Sequence, residues 1–295
     1  MRTEDVASRF ADLDTWPTGD LVASLVEGQL AAIAALHAVR PALVASADAA
    51  AQVLEDGNGR LVYAGAGASG RLAVQDGVEL FPTYGWPHDR LVYLMAGGEG
   101  ALVRSVEGAE DDAAAAEEAV SMHGVGSGDV VVAVAASGAT PFTVRAAERA
   151  RRKGALVVGI ANNAAAPLLA AADHPILLQT GPEVIAGSTR MAAGTAQKAA
   201  LNVLSTAIMV RLGRVHSNLM VAIASTNVKL AARRAAMLRR IVPVDEVAAR
   251  SALDAAGGHV ATAALVAAGA DMQRASSLLA KHAGRLRPAL RELSS

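Results

Sequence analysis

The sequence predicts an α/β protein built on a parallel β-sheet. Short, almost continuously apolar runs alternate with segments of helical periodicity along residues 61–212, and strands that are covered on both faces have this pattern. Two of the apolar runs, 61–64 and 129–135, pass directly into small-residue loops that open helices. Both observations favour a sheet whose ligand binds at the carboxyl ends of the strands.

Each element follows from a local pattern. Strands are predicted where apolar residues run without interruption, and helices where apolar residues recur at spacings of three and four. The predicted strands are 61–64, 90–95, 129–135, 155–160 and 175–178. The predicted helices are 20–39, 41–54, 69–81, 100–121, 140–153, 166–172, 189–212 and 218–240. Turns are expected at 56–59, 97–98 and 162–163, where Gly or Asn cluster.

The chain is predicted to have two domains. Residues 1–240 would form the α/β domain together with two N-terminal helices. Pro243 interrupts the helical pattern, and residues 241–295 contain short helical stretches separated by glycines. We therefore expect a small helical domain at 241–295.

Composition excludes several classes of function. The 295 residues carry 27 Lys and Arg against 28 Asp and Glu, with 3% aromatics, so no general attraction to nucleic acid is expected. Cysteine is absent, which excludes thiolate catalysis and disulfides and is typical of the cytoplasm. Residues 1–12 are charged and no run of about 18 uncharged apolar residues occurs, so a soluble protein is expected.

The two small-residue loops form the first candidate site. They read AGAGASGR at 64–71 and AASGAT at 135–140. A strand–loop–helix turn points backbone N–H groups and hydroxyls at one place, which suits a phosphate. The sequence thus predicts a phosphorylated small molecule held between two loops. The residues expected to bind it are Gly67, Ser69, Gly70, Ser137, Gly138 and Thr140.

Two alternatives remain open for these loops. Each hydroxyl could be an ordinary N-cap of its helix. Gly65, Gly67 and Gly70 also spell the G-x-G-x-x-G of dinucleotide sites, which need an acid about 20 residues further on. Asp89 has that spacing but precedes the second strand, and Glu99 follows it. Neither loop contains the lysine of a nucleotide triphosphatase.

Two acids are candidates for proton transfer. Glu79 lies in the apolar run Val78-Glu79-Leu80-Phe81, and an acid in apolar surroundings has a raised pKa that suits general acid or base work. Glu107 and Glu110 share one face of the predicted helix 100–121, and one of them could point into the cleft beyond the second strand. The alternative is a salt bridge on the helix face for Glu79 and a solvated surface position for Glu107 and Glu110.

The loop 181–190, which begins at a glycine, contains an acid, two hydroxyls and an arginine. Its candidates are Glu183, Ser188 and Arg190, since an arginine can pair with a phosphate or a carboxylate. The alternative is an N-cap followed by an exposed arginine. The seven histidines are scattered, and no metal site is evident in the sequence.

Several motifs, in this order, resemble those of the N-acetylmuramic acid 6-phosphate etherase family. They are 65–71, 107–111, GPEVIAGSTRMAAGTAQK at 181–198, LNVLST at 201–206, 218–221 and 226–230. The resemblance implies the sugar isomerase (SIS) fold, a flavodoxin-like three-layer αβα sandwich, with a C-terminal helical part. The glucokinase regulatory protein is a non-enzymatic relative of this family.

The resemblance also implies a reaction. The family cleaves the lactyl ether of N-acetylmuramic acid 6-phosphate by elimination and hydration, giving N-acetylglucosamine 6-phosphate and D-lactate in cell-wall recycling. Glu79 matches the proton donor and Glu110 the second catalytic acid. Ser69, Ser137 and Thr140 would hold the phosphate, and the acid, serine and arginine of the loop 181–190 would line the sugar or the lactyl group. The resemblance implies no metal or organic cofactor, and a homodimer in the cytoplasm.

The sequence departs from the family pattern at several polar positions. Ala68, Ala139 and Ala192 stand where the family usually has Thr, Arg and Lys, and Ala222 replaces an aspartate. The catalytic acids are retained. An altered sugar, a non-catalytic phosphosugar-binding regulator or a phosphosugar isomerase of the same fold are therefore the alternatives.

Overall fold

A computed structural model describes residues 3–55, 57–223 and 228–295. The turn predicted at 56–59 and the motif at 226–230 lie partly outside these residues. Within them the chain forms one five-stranded sheet in the order β2-β1-β3-β4-β5, with every pair parallel. The strands are β1 Leu61–Gly65, β2 Leu91–Met95, β3 Val130–Ala135, β4 Leu156–Ala161 and β5 His174–Leu177.

Helices connect the strands and follow them. They are α1 Thr18–Ala34, α2 Arg40–Leu54, α3 Gly67–Val78, α4 Leu80–Tyr84, α5 Ala113–Met122, α6 Pro141–Arg152, α7 Pro167–Ala171, α8 Ala192–Arg211, α9 Val228–Ile241, α10 Glu246–Ala255, α11 Val260–Ala267, α12 Met272–Lys281 and α13 Leu286–Ser294. The predicted fold class and all five strands are confirmed. Strands β1 and β3 are buried at every position, as their apolar runs indicate.

The helix predicted at 100–121 is wrong in its first half. The segment instead contains two 3-10 turns, Glu99–Leu102 and Ala109–Asp111, before α5 begins. Gly108 has a φ of 72°, which a right-handed helix cannot contain. The Asp112 carboxylate then accepts from the Ala115 N–H at 2.8 Å and caps α5.

Two other predicted helices start or end elsewhere. The helix predicted at 69–81 is interrupted at Glu79, where α3 has ended and α4 has not begun. The helix predicted from 218 is not formed at 218–223, where an antiparallel bridge joins His216 to Leu219 and the preceding Ser217 has a φ of 56°; the described part of the predicted helix is α9.

The chain divides into two compact units. The first comprises Met1–Val78 and Asp89–Ser205, and the second Glu79–His88 and Thr206–Ser295. This division differs from the boundary predicted at 240. The reason is that residues 219–223 and 235–242 share one apolar core with the helices that follow them, through Val221, Leu238, Leu253 and Leu265 among others.

An ion pair fixes the start of the two strands that carry the site. Asp129 precedes β3, and its carboxylate accepts from the Arg60 guanidinium at 2.7 Å, from the Arg60 N–H at 3.0 Å and from the Gly126 N–H at 3.1 Å. Burial alone would raise the pKa of Asp129, but these hydrogen bonds and the charge of Arg60 lower it below its ordinary value. The β1 and β3 strands are thereby aligned at their amino ends.

A buried polar cluster joins β1, α3 and α8. The Tyr63 hydroxyl donates to Asp76 at 2.6 Å, and Asn202 and Ser205 donate to the other oxygen of Asp76 at 2.6 and 3.1 Å. Burial and the charge of Asp76 raise the pKa of Tyr63 well above its usual value, and the same two causes raise the pKa of Tyr93 to about 12. This cluster fixes α3, the helix that the first loop opens.

Candidate functional site

The two small-residue loops meet at the topological switch point of the sheet. β1 lies between β2 and β3. The chain runs from β1 to β2 on one side of it and then continues to β3 on the other side. In sheets of this order a crevice opens at the carboxyl ends of the two strands, and ligands bind there. The loop after β1 and the loop after β3 form the two walls of that crevice.

Close packing explains the glycines of the first loop. A Cβ at Gly65 would lie 2.8 Å from the Gly70 Cα, so the strand and the helix can approach only because both residues lack side chains. Gly67 has a φ of 53°, which favours glycine. The G-x-G-x-x-G spelling is therefore accounted for by helix–strand packing, and the exposed Glu99 lies in a 3-10 turn after β2.

The predicted hydroxyls do not cap their helices through the side chain. Thr140 is the N-cap residue of α6, but its hydroxyl makes no capping hydrogen bond. Its Oγ1 lies 3.5 Å from the Ser137 Oγ, which accepts from the Ala139 N–H at 3.1 Å. Ser69, in the first turn of α3, makes no side-chain hydrogen bond with the part of the chain that the structure describes. The N-cap alternative is thus not supported for Ser69 and Thr140.

A cavity of about 420 Å³ lies between the two loops. Of the residues predicted to bind phosphate, Gly67, Ser69, Ser137 and Thr140 line it, and Glu110 lines it as well. The remaining lining residues are Glu4, Ala66, Ala68, Asp111, Ala135, Ala136, Ala139, Pro141 and Thr189. The amino-terminal ends of α3 and α6 border this cavity, and their unpaired N–H groups favour an anion.

Gly70 and Gly138 allow the backbone path of the two loops that border the cavity. Neither lines it. Gly138 has a φ of 66°, and a Cβ there would lie 2.4 Å from the Ala166 Cβ. Gly138 is thus required for the path of the second loop, as Gly70 is for the first.

Glu110 lies where two cavities adjoin. It belongs to the 3-10 turn Ala109–Asp111 and is exposed. A second cavity of about 340 Å³ beside the first shares Ala66, Gly67 and Glu110 with it. A carboxylate in this position can exchange protons with a ligand that extends from one cavity into the other.

Glu79 lies in the second compact unit, at the N-cap of α4, and is exposed. The apolar surroundings expected from its neighbours are not found in the single chain, because Val78 is 53% exposed as well. Leu80, in contrast, is buried. The catalytic role of Glu79 therefore remains a prediction from the resemblance alone.

The three candidates of the loop 181–190 do not line the cavity between the loops. Glu183 is 1% exposed, and its two oxygens each accept at 2.9 Å from the N–H groups of Ala192 and Ala193. It caps α8, which explains why that helix begins at 192 and not at 189. Arg190 is exposed and Ser188 half-buried. A binding role for these three residues stays a prediction, and Glu183 has an evident structural role.

Glu4 and Thr189 line the cavity but were not among the predicted site residues. The Thr3 N–H donates to Asn163 Oδ1 at 3.1 Å, and the Gly187 N–H donates to the Thr3 carbonyl at 3.2 Å. These contacts hold the N-terminal segment at the site. No local pattern signals them, since the partners are more than 150 residues apart.

Comparison with known proteins agrees with this geometry. Residues 43–150 match the glucokinase regulatory protein N-terminal SIS domain and residues 110–207 match the SIS domain. A putative phosphosugar isomerase involved in capsule formation from Bacteroides fragilis superposes with a TM-score of 0.51 at 17% identity, over 68% of this chain and 95% of that one. The fold and the crevice thus define a SIS-domain protein.

Full-length relatives identify the family within this class. The chain is 51% identical to an N-acetylmuramic acid 6-phosphate etherase of Deinococcus radiodurans, over 99% of this chain and 95% of the relative. It is 45% identical to the etherase of Streptomyces avermitilis, over 98% and 93%, and 41% identical to etherase 1 of Enterococcus faecalis, over 97% and 95%. The chain belongs to the N-acetylmuramic acid 6-phosphate etherase family.

Proposed function

We propose that the protein cleaves the D-lactyl ether of N-acetylmuramic acid 6-phosphate and releases N-acetylglucosamine 6-phosphate and D-lactate, as a step of cell-wall recycling. The observation that carries the proposal is the position of Glu110 at the edge of a hydroxyl-lined crevice, in a chain 51% identical to the etherase of Deinococcus radiodurans. The crevice supplies an anion site and an acid–base group side by side.

The phosphate is proposed to bind between the two loops. Ser69, Ser137 and Thr140 offer hydroxyls, and the amino-terminal ends of two helices offer N–H groups. No Lys or Arg of the described residues lines this cavity, and the family's usual Thr and Arg are Ala68 and Ala139 here. Hydroxyls and helix ends would therefore hold the phosphate.

The proposed reaction proceeds on the opened sugar. A base removes the proton on C2, next to the aldehyde, and the C3–O bond breaks with its electron pair going to the ether oxygen. That oxygen takes up a proton and leaves as D-lactate, and water adds across the C2–C3 double bond. Glu110 and Glu79 are the acids proposed for these proton transfers.

A direct test supplies N-acetylmuramic acid 6-phosphate to the purified protein and measures D-lactate. The proposal expects one equivalent of D-lactate per sugar, and much weaker release from the sugar without its phosphate. Binding of hexose 6-phosphates without conversion would instead support a regulator, and aldose–ketose interconversion would support an isomerase.

We also propose a homodimer that is formed through the exposed face of α1. Val22, Val26, Leu30 and Ile33 follow one another at spacings of four, four and three and are 47–67% exposed. Among the described residues, 18–37 form the one helical segment whose length and composition would suffice to cross a membrane, with a mean hydropathy of 1.4 and 6% of it buried. Glu27 lies within that segment, and a carboxylate is costly in a bilayer, so a second copy suits this face better.

Sedimentation of the purified protein tests the homodimer. A dimer is expected for the wild type, and Leu30→Glu should shift it toward the monomer because the charge would be buried in the interface. A wild-type monomer at micromolar concentration would contradict the proposal.

We propose that the protein is located in the cytoplasm, and fractionation of cells is the corresponding test.

A further inference from the structure

The second cavity lies directly beside the crevice between the two loops. Its volume is about 340 Å³, and it lies at the carboxyl end of β2, where Met95 and Ala96 form part of its wall. It shares three lining residues with the crevice, namely Ala66, Gly67 and Glu110. A ligand that spans both cavities would pass Glu110.

Arg71 provides a positive charge in this second cavity. It is the only Lys or Arg that the described residues contribute to the lining of either cavity. Its Nε donates to the Ala101 carbonyl at 2.8 Å, which fixes the stem of the half-buried side chain. No described carboxylate lies within 4.0 Å as an ion-pair partner, so the two terminal nitrogens remain available.

A guanidinium held in this way suits a carboxylate. Arginine presents two parallel N–H donors that match the two oxygens of a carboxylate. Glu107 and Glu110 also line the cavity, so an anion would be repelled there without a positive partner. The exposed hydroxyl of Ser105 is a further donor at the same cavity.

We infer that Arg71 binds the carboxylate of the lactyl group and is the specificity residue for the leaving group. This inference rests on the proposed function. The substrate has two anionic ends, and each finds one cavity: the phosphate lies between the hydroxyls, and the carboxylate pairs with Arg71. The ether bond between them then lies beside Glu110. Arg71 transfers no proton and acts by orienting the group that leaves.

Two reactions of the same protein separate this role from a structural one. The first is D-lactate release from N-acetylmuramic acid 6-phosphate. The second is exchange of the C2 proton of N-acetylglucosamine 6-phosphate with heavy water, which uses the phosphate site and the acids but no lactyl group. Arg71→Gln is expected to lower kcat/KM for lactate release about 10- to 100-fold more than it lowers exchange, since hydrogen bonds to charged groups have this magnitude.

The controls keep the outcomes distinct. Arg71→Lys should recover part of the lactate release, and Arg104→Gln should leave both reactions unchanged. Arg104 is an exposed arginine of the segment between β2 and α5, and it lines neither cavity. Equal losses of release and exchange in Arg71→Gln, or no loss of either, would overturn the inference. A wild type that releases no lactate would overturn the proposed function instead.

Discussion

Glu110 is the residue on which the proposed chemistry depends most. Its carboxylate is exposed at the junction of two cavities, and no ion pair with a described residue involves it. Glu110→Gln should therefore lower kcat by about 10²–10⁴, the usual contribution of a positioned acid or base, with little change in melting temperature. Glu118→Gln, an exposed acid of α5 that lines neither cavity, is the matched control. Full activity of the Glu110 variant would remove it from the mechanism.

Glu79 presents a different case at the same scale. It is exposed in the single chain and makes no capping hydrogen bond, so its replacement should cost little stability. The resemblance assigns it proton transfer, and Glu79→Gln should accordingly bind the substrate but turn it over at least 10²-fold more slowly. Calorimetry and a lactate assay on one preparation measure both quantities. Wild-type turnover would contradict the assignment.

Asp129 links the stability of the fold to pH. Its pKa is lower in the folded chain than in the unfolded chain, so the carboxylate stabilises the fold above the unfolded value of about 3.9. That contribution is lost as pH falls below about 4 and through the folded pKa. Asp129→Asn should cost about 1–3 kcal/mol at pH 7, because buried donors lose a charged partner. Denaturant titrations at pH 7 and pH 3 should show a smaller difference between variant and wild type at pH 3.

At the scale of the element, α8 depends on a cap from a distant part of its loop. Glu183 satisfies two N–H groups of the first turn and is 1% exposed. Glu183→Ala should lower the unfolding free energy by about 1–3 kcal/mol, and Glu183→Gln by less, because an amide keeps one acceptor. Thermal melts of both variants measure the difference. An Ala variant as stable as the wild type would contradict the capping role.

The elements differ in how far the sequence predicts them. The strands were predictable because each contains a short apolar run, and β1 and β3 are buried at every position. The break in the helix predicted at 100–121 was not predictable in the same way, since the acids there have helical spacing. Only Gly108 and the capping residue Asp112 mark the break. The start of α8 was missed for a related reason: the capping acid lies nine residues before the helix.

At the scale of the whole molecule, local patterns indicate which elements form but not their neighbours. That β1 lies between β2 and β3 depends on the packing of the whole sheet, and no local pattern predicts it. The loop hydroxyls were predicted from local sequence because both loops follow buried strands. Glu4 was missed because contacts with Asn163 and Gly187 bring its segment to the site.

The two adjoining cavities are proposed to form one binding surface for a doubly anionic sugar. Hydroxyls and helix ends would bind one anion and Arg71 the other, while Glu110 lines both cavities. The departures at Ala68 and Ala139 fall on the phosphate side, so the choice of sugar phosphate is where this chain should differ most from its relatives.

Turnover of N-acetylmuramic acid 6-phosphate in heavy water, followed by NMR, tests the proposed elimination. We expect one equivalent of D-lactate and one deuterium at C2 of the product, because the C2 proton is removed before lactate leaves. Lactate release with hydrogen retained at C2 would contradict the elimination, and a folded protein that releases no lactate would contradict the proposed function.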